Sequence, residues 1–218
     1  MLDRQLDDNL FEGFDQSQVL AIRDALQSEK RKNPQTIAAA TRNHHLTRRA
    51  KSNAKLTEIL PRQIEEGESW HVLSSGDIDV LSFTAHLISQ TTYFEYLLIA
   101  TWRINLEDLK VVRKWVESGL VERFDLIIDV RFQRLSPDEY QFAKELAREF
   151  SGRIVLARNH AKVTLLKSLE RNIFYVLESS ANVNTNHRLE QTTLHASRSL
   201  FEFYETFFKS LGRRPDDT

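Results

Sequence analysis

Asn159-His160-Ala161-Lys162-Val163-Thr164-Leu165-Leu166 is followed by Ile173-Phe174-Tyr175-Val176-Leu177-Glu178-Ser179-Ser180-Ala181-Asn182 and then by Asn186-His187-Arg188-Leu189-Glu190-Gln191. The 218-residue chain is organised around these pieces. The first is β-branched and apolar and predicts a strand over 160–166. Side chains alternate faces along a strand, so His160 and Lys162 are expected on the same side. The second predicts a strand over 172–178, ending in small polar residues able to donate to phosphate oxygens. Glu190 follows within reach of the same end of a sheet. A nucleophile or base beside a fixed ammonium is what attack on a phosphate diester requires, so the stretch reads as a phosphoryl-transfer site.

Composition bounds the alternatives. Hydrophobic residues make up 41% and charged residues 28%, an ordinary globular mixture that suits one substantial domain with a small appendage. The formal net charge of -1 provides no global field for polyanions, so nucleic-acid affinity has to come from local patches. The absence of cysteine excludes disulfides, thiolate metal sites and a cysteine nucleophile, and fits a reducing compartment. The acidic start, Met1 to Asp8, has no apolar signal-peptide core, and no apolar run approaches the ~20 residues of a spanning helix. A cytoplasmic protein with no membrane partner is expected.

The chain divides by composition into an N-terminal region over 1–62, a main domain over 63–211 and a tail over 212–218. A modest helical pattern covers 16–27. Residues 30–57 carry Lys30, Arg31, Lys32, Arg42, Arg48, Arg49, Lys51 and Lys55 with no Asp or Glu among them. An acid-free basic segment is either a solvated arm or a contact for phosphate backbones. Arg42, Arg48, Arg49 and Lys51 are the candidate nucleic-acid-binding residues. The segment is poor in large apolar side chains and is expected to add little to a core. His44 and His45 have no carboxylate or cysteine nearby, so no metal site is assigned.

From Leu60 the pattern becomes core-like. A strand is predicted at 70–73, a turn at Gly76-Asp77, and a helix over 78–89 capped by Asp77. A strand at 94–102 precedes a helix capped by Asn105 and closed by Gly119. A buried strand at 124–130 leads to a helix opened by Ser136-Pro137 and running to about Phe150. Strands at 153–157 and 191–195 and a closing aromatic helix at 200–211 complete the series. The fold class is α/β: a mixed, largely parallel β-sheet flanked by helices on both faces, with an antiparallel portion near 153–178. Trp102, Trp115 and the Phe201, Phe203, Tyr204, Phe207, Phe208 set are assigned to the core or to dimer contacts.

His160-x-Lys162, then Ser179-Ser180-x-Asn182, then Glu190 resembles the phospholipase D superfamily half-site, and within it the compact single-motif proteins of bacteria and phages. The resemblance covers about residues 70–208. It implies that His160 attacks phosphorus and that Lys162 binds the non-bridging oxygens. Ser180 and Asn182 complete the phosphate cradle, Arg188 is a candidate substrate clamp, and Glu190 orients the imidazole. It implies no metal and no cofactor. With one motif in the chain, the resemblance implies an active site formed across a homodimer. Nucleic acid is the expected substrate because of the basic segment and because no amphipathic membrane-binding helix is evident. Two departures stand out: Lys167 occupies the position of the family's Asp, and Ser179 that of its Gly. A nucleic-acid-binding protein without turnover is the alternative, as is an enzyme acting on lipids or small diesters.

Overall fold

The computed structural model describes residues 51–60, 63–75, 78–183 and 189–211. The helix expected at 16–27, the His44-His45 pair, Arg42, Arg48, Arg49, the Gly76-Asp77 turn, Asn186 to Arg188 and the tail lie outside the described residues.

A helical stretch over 51–59 (α1) is followed by strand β1 (Ser69–Ser74) and helix α2 (Val80–Thr91). Next come β2 (Phe94–Thr101), α3 (Leu106–Glu117), β3 (Val121–Asp129), a short α4 (Phe132–Leu135) and α5 (Pro137–Glu149). The chain closes with β4 (Arg153–Ala157), β5 (Val163–Ser168), β6 (Ile173–Ser179), β7 (Glu190–Ala196) and α6 (Arg198–Ser210). One seven-stranded sheet takes all the strands, in the order β1-β7-β6-β5-β2-β3-β4.

The sheet is mixed, as the alternation of strands and helices predicts, but the balance differs from the expectation. Only β2–β3 and β3–β4 pair in parallel, while β1–β7, β7–β6, β6–β5 and β5–β2 are antiparallel. The reason is in the connections. Helices α3 and α5 return the chain for parallel pairing, but among the described residues no helix intervenes between β4 and β7. Only β5 and β6 form the hairpin expected near 153–178, because β4 pairs with β3 at the sheet's edge.

Both faces of the sheet are covered, and strand alternation divides the core. Leu97 and Ile99 of β2, Leu126 and Ile128 of β3, and Tyr175 and Leu177 of β6 join a cluster with α2, α3 and α5. Leu98, Ile127, Leu165 and Val176 point the other way and pack under Phe201 and Phe208 of α6. Phe203 and Phe207 of that helix are exposed. Residues 51–60, grouped by composition with the basic segment, bury Leu56 and Leu60 in the first cluster, so this part does contribute to the core.

Caps follow the sequence in one helix and differ in another. Asn105 accepts a hydrogen bond from Asp108 N at 2.8 Å, and Gly119 takes φ 72° just past α3. Helix α2 is capped by Asp79, which accepts from Ser82 N at 2.7 Å, rather than by Asp77. Ile78 is buried in the core, which sets the first helical turn two residues later than expected.

Candidate active site

The ends of β2, β3, β4 and β6 and the starts of β5 and β7 meet at one end of the sheet. In open α/β sheets this end, beyond the termini of the parallel strands, is where ligands bind. Every described residue of the expected catalytic set lies there.

His160 and Lys162 do not sit on a strand; β5 begins at Val163, and 158–162 is the connection from edge strand β4 over the ends of β3 and β2. A local side-chain tether makes it so. The buried Asn159 amide donates to Thr101 O at 2.9 Å and to Ile127 O at 3.3 Å, tying the connection to both strands it crosses. Its Oδ1 accepts from Ala161 N at 3.0 Å, which fixes the turn that presents His160 to solvent. Lys162 Nζ then lies 3.0 Å from His160 Nδ1 and donates to His160 O at 2.9 Å. The two side chains meet as the sequence leads one to expect, but through a tethered loop rather than strand alternation.

The second loop is anchored to the same strand. Val183 N donates to Thr101 Oγ1 at 3.3 Å, and Val183 bridges Ile104 in parallel. Thr101, fully buried, thus holds the His160 loop by its carbonyl and the Asn182 loop by its hydroxyl. Ser179 N donates to Lys162 O at 3.0 Å, joining the loops directly. Asn182 Oδ1 is buried with no hydrogen-bond partner among the described residues.

Ser180 hydrogen-bonds through its hydroxyl to Glu190 Oε2 and accepts from Gln191 N at 2.9 Å. Burial lowers the Lys162 ammonium below the ordinary lysine value, and the Glu190 charge partly offsets that. His160 and Lys162 thus form one contacting pair and Ser180 and Glu190 another, with the Glu190 charge acting on Lys162. Among the candidates from the basic segment, only Lys51 is described, exposed at the start of α1.

Several residues at the site carry no signal in the sequence. Trp102, assigned to the core or a dimer contact, is half-buried with its ring centroid 6.2 Å from that of His160. Arg131 lies over the indole at 5.6 Å and pairs with Asp129 at 2.6 Å. The side-chain hydrogen bond from Arg131 leads the interactions that hold the buried Asp129 carboxyl below its usual range. Asp129, Val130, Arg131, Arg158, Asn159 and His160 line a depression of about 350 Å³. Arg131 and Arg158 are far apart in sequence and meet because β3 and β4 are neighbours.

Lys167, at the position of the family's Asp, lies toward the opposite end of β5. It forms an ion pair with Glu205 of α6 at 3.0 Å and lies over the Tyr96 and Phe201 rings at 5.4 and 5.6 Å. Among the described residues no group of three or more His, Asp or Glu is arranged to hold a metal ion, and no helix is long and apolar enough to cross a membrane.

No protein-family model matches the chain, and no curated protein matches it. Among solved structures, it is similar to the polyphosphate kinase from Porphyromonas gingivalis, with 16% identity and a TM-score of 0.49 over 68% of this chain. It is also similar to the phosphatidylserine synthase of Haemophilus influenzae Rd KW20, with 15% identity and a TM-score of 0.44 over 65% of this chain. The match spans 27% of the first protein and 37% of the second, so the chain accounts for about a quarter to a third of their lengths.

Proposed function

We propose that the protein is a metal-independent phosphodiesterase, acting on nucleic acid through a phosphohistidine intermediate, with its active site shared between two copies of the chain. The observation that carries this reading is the contact of His160 with Lys162 beside the hydrogen-bonded Ser180–Glu190 pair, on loops held over the sheet's end by Thr101 and Asn159. The exposed imidazole is open to an incoming phosphate.

In the proposed reaction an unprotonated His160 nitrogen forms a bond to phosphorus as the ester P–O bond breaks. The leaving oxygen takes a proton from the imidazole of a second copy. Water then attacks the phosphohistidine, gives its proton back to that imidazole, and the P–N bond breaks. The Lys162 ammonium neutralises charge on the non-bridging oxygens. The Glu190 carboxylate keeps Lys162 charged and, through the Ser180 hydroxyl, is itself fixed. Asn182 has a role available to it: turned about its amide, it presents two donors where Oδ1 now has no partner, which a phosphate oxygen can accept.

Lys167 lies toward the end of β5 away from His160. Its ion pair with Glu205 ties β5 to α6 away from the site, so the departure from the family pattern is absorbed structurally. The test is hydrolysis of bis-p-nitrophenyl phosphate and of an oligonucleotide in EDTA. Turnover that is lost in His160→Asn with the fold retained supports the reading; no hydrolysis, or hydrolysis only with added metal, refutes it.

A further inference from the structure

The depression beside His160 contains chemistry that the bond-breaking step does not use. Two arginines, Arg131 and Arg158, line it together with His160. Arg131 is neutralised in part by Asp129 yet keeps 53% of its side chain exposed, whereas exposed Arg158 has no ion pair among the described residues. Val130 contributes an exposed apolar surface between them. Arg131 lies over the Trp102 ring at 5.6 Å, and that indole is itself 6.2 Å from the His160 ring.

We propose that this depression is a subsite for the nucleotide next to the scissile phosphate. Arg158 and Arg131 take the neighbouring phosphate, and its base packs on Val130 and on the Arg131 plane supported by Trp102. The proposal rests on His160 as the phosphorus-attacking group and adds to it the substrate class: a single nucleic-acid strand, whose unstacked bases lie on aromatic and guanidinium planes. A phospholipid offers no second backbone phosphate for the arginines, and one exposed valine provides no surface for acyl chains.

The test measures binding of fluorescein-labelled DNA and RNA trinucleotides to the full chain carrying His160→Asn, in EDTA, by anisotropy. With Arg131→Ala and Arg158→Ala added together, Kd is expected to rise at least tenfold. The slope of log Kd against log salt should fall by about 0.7, the value for one neutralised phosphate on a single strand. Arg158→Glu alone breaks no ion pair among the described residues and is expected to raise Kd as well, which guards against a folding defect from unpairing Asp129. A Kd within twofold in both variants, or no binding to the parent, overturns the subsite. So does arginine-dependent binding seen with phosphatidylglycerol vesicles and not with the trinucleotides. Arginine-dependent binding without any diester hydrolysis by the wild type keeps the subsite and overturns the catalytic reading. Hydrolysis of bis-p-nitrophenyl phosphate with binding indifferent to the arginines does the reverse.

Discussion

Lys162 sets its ammonium nitrogen 3.0 Å from Nδ1 of His160 and, with the same group, donates to the His160 carbonyl at 2.9 Å. The lysine therefore restrains both the ring and the backbone of the residue it serves. Arrival of a phosphate would draw the ammonium onto the non-bridging oxygens and leave the imidazole nitrogen facing phosphorus. Lys162→Met is expected to lower kcat by roughly 10²–10³, the cost of one preorganised charge-stabilising donor, with circular dichroism unchanged. A loss smaller than tenfold would remove Lys162 from the mechanism.

The alkaline side of the pH–rate profile reports on the same lysine. Burial lowers its ammonium below the ordinary value and the Glu190 charge raises it in part. Rate that requires charged Lys162 is therefore lost as pH rises through this lowered value. Glu190→Gln removes the favourable charge, so its alkaline limb is expected at lower pH than in the wild type. A limb displaced to higher pH, or not displaced, contradicts the Lys162–Glu190 coupling.

Thr101 joins the two loops of the site, and its hydroxyl accepts from Val183 N. Thr101→Val keeps the shape and leaves that buried N–H without an acceptor, at a cost of about 1–2 kcal/mol. The melting temperature is expected to fall by roughly 4 °C, and kcat/KM by about tenfold as the Asn182 loop loosens. Loss of stability with kcat/KM unaltered would restrict Thr101 to a structural role.

Lys167 and Glu205 form a mostly buried pair, with side-chain exposures of 18% and 16%. Lys167→Asp, which places there the residue of the phospholipase D pattern the motif resembles, faces one carboxylate with another and is expected to destabilise by about 2 kcal/mol, between the values for exposed and fully buried pairs. Burial pushes the Glu205 carboxyl up, but hydrogen bonds from Lys209 and Lys167 outweigh it and hold the group below its ordinary value. A carboxyl lower in the folded than in the unfolded state adds stability that is fully present above the unfolded value, about pH 4.3, and is lost as pH falls through the folded one. The wild type should thus lose more stability on acidification below that pH than Glu205→Gln. Parallel melting profiles would exclude the linkage.

Gly152 precedes β4 and packs against β3. A Cβ there would stand 1.9 Å from the Phe124 carbonyl oxygen, a backbone atom with no room to yield. Gly152→Ala is expected to cost about 3 kcal/mol in chemical denaturation, toward the upper end for overpacking. A cost below about 1 kcal/mol would show that β4 shifts freely on β3.

Local signals in the sequence carried much of the fold, and non-local ones explain the rest. Strand β4 lies where Arg153-Ile154-Val155-Leu156-Ala157 predicts it, and Asn105 and Gly119 bound their helix as expected, because caps and apolar runs act over a few residues. His160 and Lys162 were legible as a pair but not as a loop. What ends the strand pattern at Val163 is the Asn159 side chain reaching Thr101 and Ile127, contacts about thirty to sixty residues away. The same limit hides the arginine-lined depression: a tryptophan at a strand end reads as core until Arg131 lies over it, and Arg131 and Arg158 come to line one depression only because they follow two neighbouring strands.

Sharing of the site between copies has its own readout. The active species is expected at about 51 kDa by light scattering, twice the 25.5 kDa chain. Full activity in a 25.5 kDa monomer would require the leaving-group acid to come from the same chain.

The most direct measurement is peptide-mapping mass spectrometry of the wild type quenched in alkali during turnover of bis-p-nitrophenyl phosphate in EDTA. A p-nitrophenyl-phosphoryl adduct on the peptide containing His160, absent from His160→Asn, is the predicted result. Product release without an adduct at His160, undiminished in His160→Asn, would contradict it.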